Sequence, residues 1–141
     1  IIKDCWTDYK RGWCYIPEEI ASSNGLVMEN FFKPDYREQA AGTLNTLIHR
    51  AAEHLDDALA YTLHIPRRNY RIRLFCSLPL LFAINTLVAA KNDLRILTGE
   101  KVKISRQQVR KIIRDSQLLC LSNTALANYY HALRARLGEL N

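Results

Sequence analysis

Leu74-Phe75-Cys76-Ser77-Leu78-Pro79-Leu80-Leu81-Phe82-Ala83-Ile84-Asn85-Thr86-Leu87-Val88-Ala89-Ala90 is the stretch on which the fold turns. It is the longest uncharged run in the chain, bounded by Arg73 and Lys91. A membrane span calls for about 20 strongly apolar residues. This run is at the short limit, and Ser77, Pro79, Asn85 and Thr86 interrupt it. It therefore reads as a central helix buried on all sides. A buried amide must find partners, so Asn85 has two readings. It could make a structural bond between helices, or it could be a polar spot in an oily pocket walled by Phe75, Leu78, Leu81 and Phe82.

Outward from this run, every segment reads as helix. Upstream, Asp35 with Glu38 has the capping-box pattern. It opens a long helix with Ala40, Leu44, Leu47, Ile48, Ala51, Leu55, Ala58, Leu59 and Thr62 at helical spacing. The opposite face carries Arg37, His49, Arg50, Glu53, Asp56 and Asp57 and is expected to be solvated. His64-Ile65-Pro66 breaks that helix. Pro66 is expected to open the central helix, which should continue to about Leu97, with Gly99 marking its end. Ser105 with Gln108 is a second capping box, opening a helix near Gln107–Cys120. A last helix covers about Asn123–Leu137, followed by Gly138. At the other end, a helix runs to about Arg11 and stops at Gly12. Trp13 to Ile16 is an extended link, Pro17-Glu18-Glu19 opens a short helix, and Leu26 to Phe32 is a loop or weak helix. The chain starts without an initiator Met or an N-cap. The expectation is a piece of a longer protein, beginning inside a helix.

Composition agrees with an all-α domain, or part of one. The 141 residues are 48% apolar, with only 5 Gly and 4 Pro. The net charge of +6 points to an anionic partner: phosphate, nucleic acid or a membrane surface. Cys5, Cys14, Cys76 and Cys120 form no C-x-x-C pair and read as reduced cysteines of a cytoplasmic protein.

The chemistry concentrates in Lys3-Asp4-Cys5-Trp6-Thr7-Asp8-Tyr9-Lys10-Arg11. On a helix, Asp4 and Asp8 fall on one face, roughly 5–6 Å apart at Cβ. Two carboxylates with nothing apolar between them make a hard oxygen site. Such a site suits Mg²⁺, which keeps waters and is often shared with a substrate phosphate. Lys3, Lys10 and Arg11 would hold the remaining phosphate oxygens. A solvated helix face gives the same spacing. Other clusters carry less. His54 follows Glu53 directly and points about 100° away, so His49, Glu53, His54 and Asp57 cannot converge on one ion. Arg67, Arg68, Arg71 and Arg73 could bind an anion or form a charged rim with their stems on apolar surface. Lys101, Lys103, Arg106, Arg110, Lys111 and Arg114 precede two short helices in the manner of a helix-turn-helix binder. They spread around the helix, however, instead of gathering on one edge. A small basic nucleic-acid-binding module is thus the rival from a different class, and no nucleic acid is the expectation.

Ile1-Ile2-Lys3-Asp4-Cys5-Trp6-Thr7-Asp8, then Gly12, then Tyr15-Ile16-Pro17, resembles the second aspartate-rich motif of the squalene/phytoene synthases and its following link. Leu74-Phe75-Cys76-Ser77-Leu78-Pro79, with Ala83, Thr86 and Leu87, is similar to the family's Phe-Cys-x-x-Pro segment. Gly99 with Val102-Lys103-Ile104 resembles its Gly-x-Val-Lys-Ile stretch. The resemblance covers most of the chain. It implies the C-terminal portion of an all-α isoprenoid (terpenoid) synthase fold, without the N-terminal helices that bear the first aspartate-rich motif. It implies a prenyltransferase that joins two prenyl diphosphates head to head with Mg²⁺ and releases diphosphate. The substrate would be farnesyl diphosphate, giving squalene through presqualene diphosphate, with NADPH as reductant. A phytoene or dehydrosqualene synthase, using geranylgeranyl or farnesyl diphosphate without NADPH, is the alternative. Carried over, Asp4 and Asp8 bind the metal, and Lys3, Lys10 and Arg11 bind diphosphate. Phe75, Cys76, Leu78, Pro79, Phe82 and Asn85 line the prenyl pocket, and Lys103 and Arg106 meet the cofactor. Thr7 replaces an acid common in the motif, and Ser105 stands where a basic residue is usual. With half the metal cage, these residues alone are expected to be inactive. Any membrane contact is expected to be peripheral.

Overall fold

Short-range chemistry sets the helix boundaries. The computed structural model describes residues 2–138, so Ile1, the first residue of the resembling motif, lies outside the described residues. Six α-helices are described: α1 (Cys5–Lys10), α2 (Glu18–Ser23), α3 (Arg37–His64), α4 (Tyr70–Ala90), α5 (Arg106–Leu119) and α6 (Asn123–Ala135). Short 3-10 turns at Ile2–Asp4, Met28–Asn30, Pro34–Tyr36 and Leu94–Thr98 link them, and no strand occurs among the described residues. The all-α expectation holds.

Several boundaries differ from the sequence reading. Asp35 lies inside the turn Pro34–Tyr36, and α3 begins after it, at Arg37. Pro66 does not open α4. Its carbonyl instead accepts the Asn69 N–H at 2.9 Å, and the Asn69 carbonyl then receives the Arg73 N–H at 3.0 Å. The helix therefore starts a turn later than the proline suggests. Nor does α4 reach Leu97. Asn92 takes a positive φ of 58°, and Asp93 caps the next turn by accepting the Arg95 N–H at 3.1 Å. Asparagine tolerates the left-handed region, so Asn92 stops the helix where no glycine or proline marks the stop. The Ser105–Gln108 capping box forms with both of its hydrogen bonds. At Gly12, φ is +79°, and the Trp13 and Gly12 N–H groups bond the Asp8 and Tyr9 carbonyls, each at 2.9 Å. This is the Schellman ending that a glycine at that position permits.

The described residues form two units. The first takes 2–50 and 89–103. Its core is Ile20, Leu26, Phe31, Leu44, Ile48, Ile96 and Leu97. His49, expected on a solvated face, is buried. Its position on the helix lies within about 60° of buried Ala52, inside the buried sector rather than opposite it.

The second unit takes 51–88 and 104–138. Its core is Leu59, Leu80, Leu81, Ile84, Ile112, Leu126 and Tyr130. The expectation that α4 is buried on all sides fails. Arg73, Ser77, Leu80, Leu81 and Ile84 are buried on one face. Ile72, Phe75 and Pro79 on the other are exposed, Phe75 at 78%. The helix is apolar all round, yet only one side of it meets the described chain. By length and composition alone it could cross a membrane, with mean hydropathy 1.8 over its most apolar window and 28% of that window buried.

Arg73 does not belong to a surface basic cluster. It is fully buried, whereas Arg67, Arg68 and Arg71 are exposed. Its Nε donates to the Cys120 carbonyl at 2.7 Å. Nη1 donates to the Thr62 and Ile65 carbonyls at 3.1 and 2.6 Å, and Nη2 to Asn123 Oδ1 at 2.9 Å. Asn123 Nδ2 in turn reaches the Leu63 carbonyl at 3.2 Å. The guanidinium thus bonds carbonyls at the C-terminal ends of α3 and α5, where the helix dipoles favour a cation; the Thr62 carbonyl also accepts the Ile65 N–H at 3.3 Å. Nearby, the Tyr130 hydroxyl donates to Asp56 Oδ1 at 2.7 Å. Burial first, and that carboxylate second, raise the phenol's pKa above its ordinary value. Replacing Arg73 with Met should lower stability by about 3–5 kcal/mol, because buried acceptors are left without donors. Arg73→Lys should recover only part of this loss, since an ammonium cannot span the same fork. Chemical denaturation of the chain measures both.

Candidate functional site

The first unit holds the aspartate pair. Asp4 stands at the N-cap of α1, and its side chain makes no capping bond to the backbone. Lys3 Nζ lies 2.7 Å from Asp4 Oδ2. That hydrogen bond holds the Asp4 carboxyl below its usual pKa of 3.8 against a smaller desolvation effect, and Lys103 adds attraction. Asp8 follows within α1, half-buried, and lines a crevice with Tyr9, Trp13, Tyr15 and Phe32. The Cys5 thiol is also buried there, and burial pushes its pKa up to about 11. Cys5 is therefore a protonated core residue at neutral pH.

The flanking cations lie on aromatic rings. Lys10 Nζ is 4.8 Å from the Trp6 ring centroid, and Arg11 Cζ is 5.9 Å from that of Trp13. Such contacts are worth about 0.5–1 kcal/mol at exposed sites, too little to prevent either side chain from turning to an anion. Trp6 is itself fixed edge-on to Phe32 at 5.1 Å, and Tyr9 lies 4.5 Å from the same ring.

Sequence reasoning missed what seats Trp6. Gly99 has φ +86°, and a Cβ there would come within 2.4 Å of the indole. The turn Leu94–Thr98 packs on α1 at this point. Gly99 was legible as a helix end but not as the floor of the aspartate helix. Its neighbour Val102 is buried, while Lys103 is exposed, as is Arg106.

The six prenyl-pocket candidates do not share one face of α4. Phe75, Pro79 and Phe82 form a single stripe, with Phe75 and Pro79 exposed and Phe82 half-buried. Cys76 lies on one flank of that stripe at helical spacing, and Leu78 and Asn85 lie on the other. Asn85 donates to the Leu81 carbonyl at 2.8 Å. Among the described residues, no group of three or more His, Cys, Asp or Glu side chains gathers to hold a metal.

The family model for squalene/phytoene synthase matches residues 1–108. The chain belongs to the squalene/phytoene synthase family. The squalene synthase of Rattus norvegicus is 32% identical over 116 residues, covering 82% of this chain and 27% of the relative. That of Dictyostelium discoideum is 34% identical over 116 residues, covering 82% and 27%. That of Homo sapiens is 28% identical over 139 residues, covering 99% and 33%. The chain thus spans about a quarter to a third of the length of these relatives, and as a member of this family it has an all-α fold.

Two measurements probe this site. Gly99→Ala should perturb the Trp6 seat and cost about 1–3 kcal/mol from the left-handed φ alone, read by tryptophan fluorescence and thermal unfolding. Lys3→Met should raise the Asp4 pKa toward 3.8, followed by carboxyl NMR titration. Because Asp4 titrates low when folded, its favourable contribution is present above about pH 3.8 and is lost as pH falls through the folded value. Lys3→Met should remove that acid-limb dependence.

Proposed function

We propose that this chain forms part of a Mg²⁺-dependent prenyltransferase that joins two prenyl diphosphates head to head. The leading reading is farnesyl diphosphate to squalene through presqualene diphosphate, in keeping with the relatives' names. The observation that carries it is the Asp4 carboxylate at the N-cap of α1 and the Asp8 carboxylate one turn on, within that helix, with Lys3, Lys10 and Arg11 flanking them in the sequence.

The donor set fits Mg²⁺. Both groups are hard carboxylate oxygens, and Lys3 keeps Asp4 ionised, as a metal ligand must be. Asp4 and Asp8 would hold the ion, and water, diphosphate and carboxylates from outside these 141 residues would supply its remaining ligands. When bound, Mg²⁺ neutralises charge building on the departing diphosphate. Lys3, Lys10 and Arg11 would grip the oxygens the metal does not reach. Lys10 and Arg11 would leave their indole rings to do so.

The exposed apolar stripe of α4, with Phe75, Pro79 and Phe82, supports a cavity wall. A carbocation must meet no water, and such a face excludes it. Lys103 and Arg106 are the cations we assign to a phosphate-bearing reductant, NADPH, which when bound supplies the hydride that quenches the final cation. Any contact with a membrane surface would be peripheral and would suit the apolar substrate. We propose further that the 141 residues form the C-terminal part of the synthase domain. The first aspartate-rich motif would lie on the rest of the synthase, so this chain binds substrate without turning it over.

Titration calorimetry with farnesyl diphosphate tests the reading. Binding should require Mg²⁺ and should vanish in Asp4→Ala/Asp8→Ala. Binding without Mg²⁺, or binding unchanged in the double variant, would overturn it.

A further inference from the structure

The second unit carries a groove of about 340 Å³ between α4, α5 and α6. That falls within the usual range of small-molecule sites, about 300–1,000 Å³. Its floor is apolar, with Ile112 and Leu133 buried and Ala132 beside them. Its rim is polar: Asn85 from α4, Gln108 and Lys111 from α5, Tyr129 from α6, and Arg136 just beyond α6. Neither Lys103, Arg106 nor the exposed stripe of α4 lines it.

The hydrogen bonds determine what each rim group still has to offer. Asn85 Nδ2 donates to the Leu81 carbonyl at 2.8 Å. A carbonyl only accepts, so this amide cannot be reversed, and Oδ1 is left as an acceptor. Gln108 Oε1 accepts the Ser105 backbone N–H at 2.8 Å. That donor is equally fixed, which leaves Nε2 as a donor. One free acceptor and one free donor over an apolar floor complement a flat ring with an adjacent donor and acceptor on its edge. Nucleobases present such an edge and bury their faces against apolar side chains.

The charges point to what the ring carries. The Arg136 guanidinium makes no hydrogen bond or ion pair among the described residues, and its backbone N–H is spent on Leu133. Lys111 Nζ lies 2.5 Å from Asp115 Oδ2 and 5.4 Å from the Tyr129 ring centroid. An ammonium has three donors, so Lys111 keeps capacity after meeting Asp115. Its bond to that carboxylate also raises its pKa, which secures the charge. A guanidinium fork that is unpaired among the described residues, lining the same groove as an ammonium, is a phosphate-binding combination.

We propose that this groove binds a nucleoside phosphate, with the base between Asn85 and Gln108 and the phosphate on Arg136 with Lys111. Calorimetry on the chain, without Mg²⁺ or prenyl diphosphate, uses AMP, adenosine and ribose 5-phosphate as probes. AMP should bind at least tenfold more tightly than either fragment. Arg136→Gln, at an exposed position, should weaken AMP at least tenfold and leave adenosine unchanged. Asn85→Leu should weaken AMP and leave ribose 5-phosphate unchanged. The proposal is overturned if AMP fails to bind at millimolar concentration, if ribose 5-phosphate matches it, or if Arg136→Gln has no effect. Asp4→Ala/Asp8→Ala should retain AMP binding, so failure of the transferase reading leaves this result intact.

Discussion

A buried guanidinium with no carboxylate partner among the described residues is the constraint on which the second unit depends. Arg73 places four hydrogen bonds on the ends of α3 and α5 and on Asn123. An uncompensated charge in a protein interior is ordinarily prohibitive. Here the partial negative charges of two helix C-termini replace the missing anion. Buried hydroxyls follow the same economy by local means. Thr62 and Ser77 bond the carbonyls of Ala58 and Arg73, four residues back. No buried side-chain nitrogen or oxygen among the described residues lacks a partner. The unit tolerates polar groups inside because each is satisfied, the hydroxyls of Thr62 and Ser77 within one helical turn and Arg73 by carbonyls and an amide brought to it by the fold.

The first unit solves a different problem. Asp8 sits on a helix of 6 residues with Asp4 at its N-cap, and such a helix is far too short to be stable alone. Three contacts compensate. Gly12 closes the C-terminus, Trp6 anchors one side among Phe32 and Tyr9, and Gly99 lets the turn Leu94–Thr98 press against the indole. The helix that carries Asp8 is thereby supported by residues nearly a hundred positions away in sequence. Two of the three family-like segments, the aspartate motif and the stretch beginning at Gly99, meet here as packing partners.

Local signals were legible in the sequence and long-range ones were not. The Ser105–Gln108 capping box and the Gly12 stop depend on neighbours within a turn, and the structure has both. Asp35 showed the same box pattern, but Pro34 draws it into a 3-10 turn. The end of α4 was misplaced because Asn92 can do a glycine's work at positive φ. The uncharged run of α4 was readable as helix, yet composition cannot say how many sides a helix buries. Arg73 looked like one of four surface arginines, since nothing in Arg-x-Arg spacing reveals three distant carbonyls. Of the candidate site, Asp4, Asp8 and the flanking cations could be named by residue type alone. The seat of Trp6 on Gly99 required the third dimension.

Three of the four acceptors around Arg73 are main-chain carbonyls, of Thr62, Ile65 and Cys120. Every amino acid supplies that oxygen. The side chains at those three positions are therefore free to drift so far as this network is concerned, and only positions 73 and 123 carry identity. The coupling would leave almost no covarying signature: one arginine held constant against partners that can change without changing what they contribute.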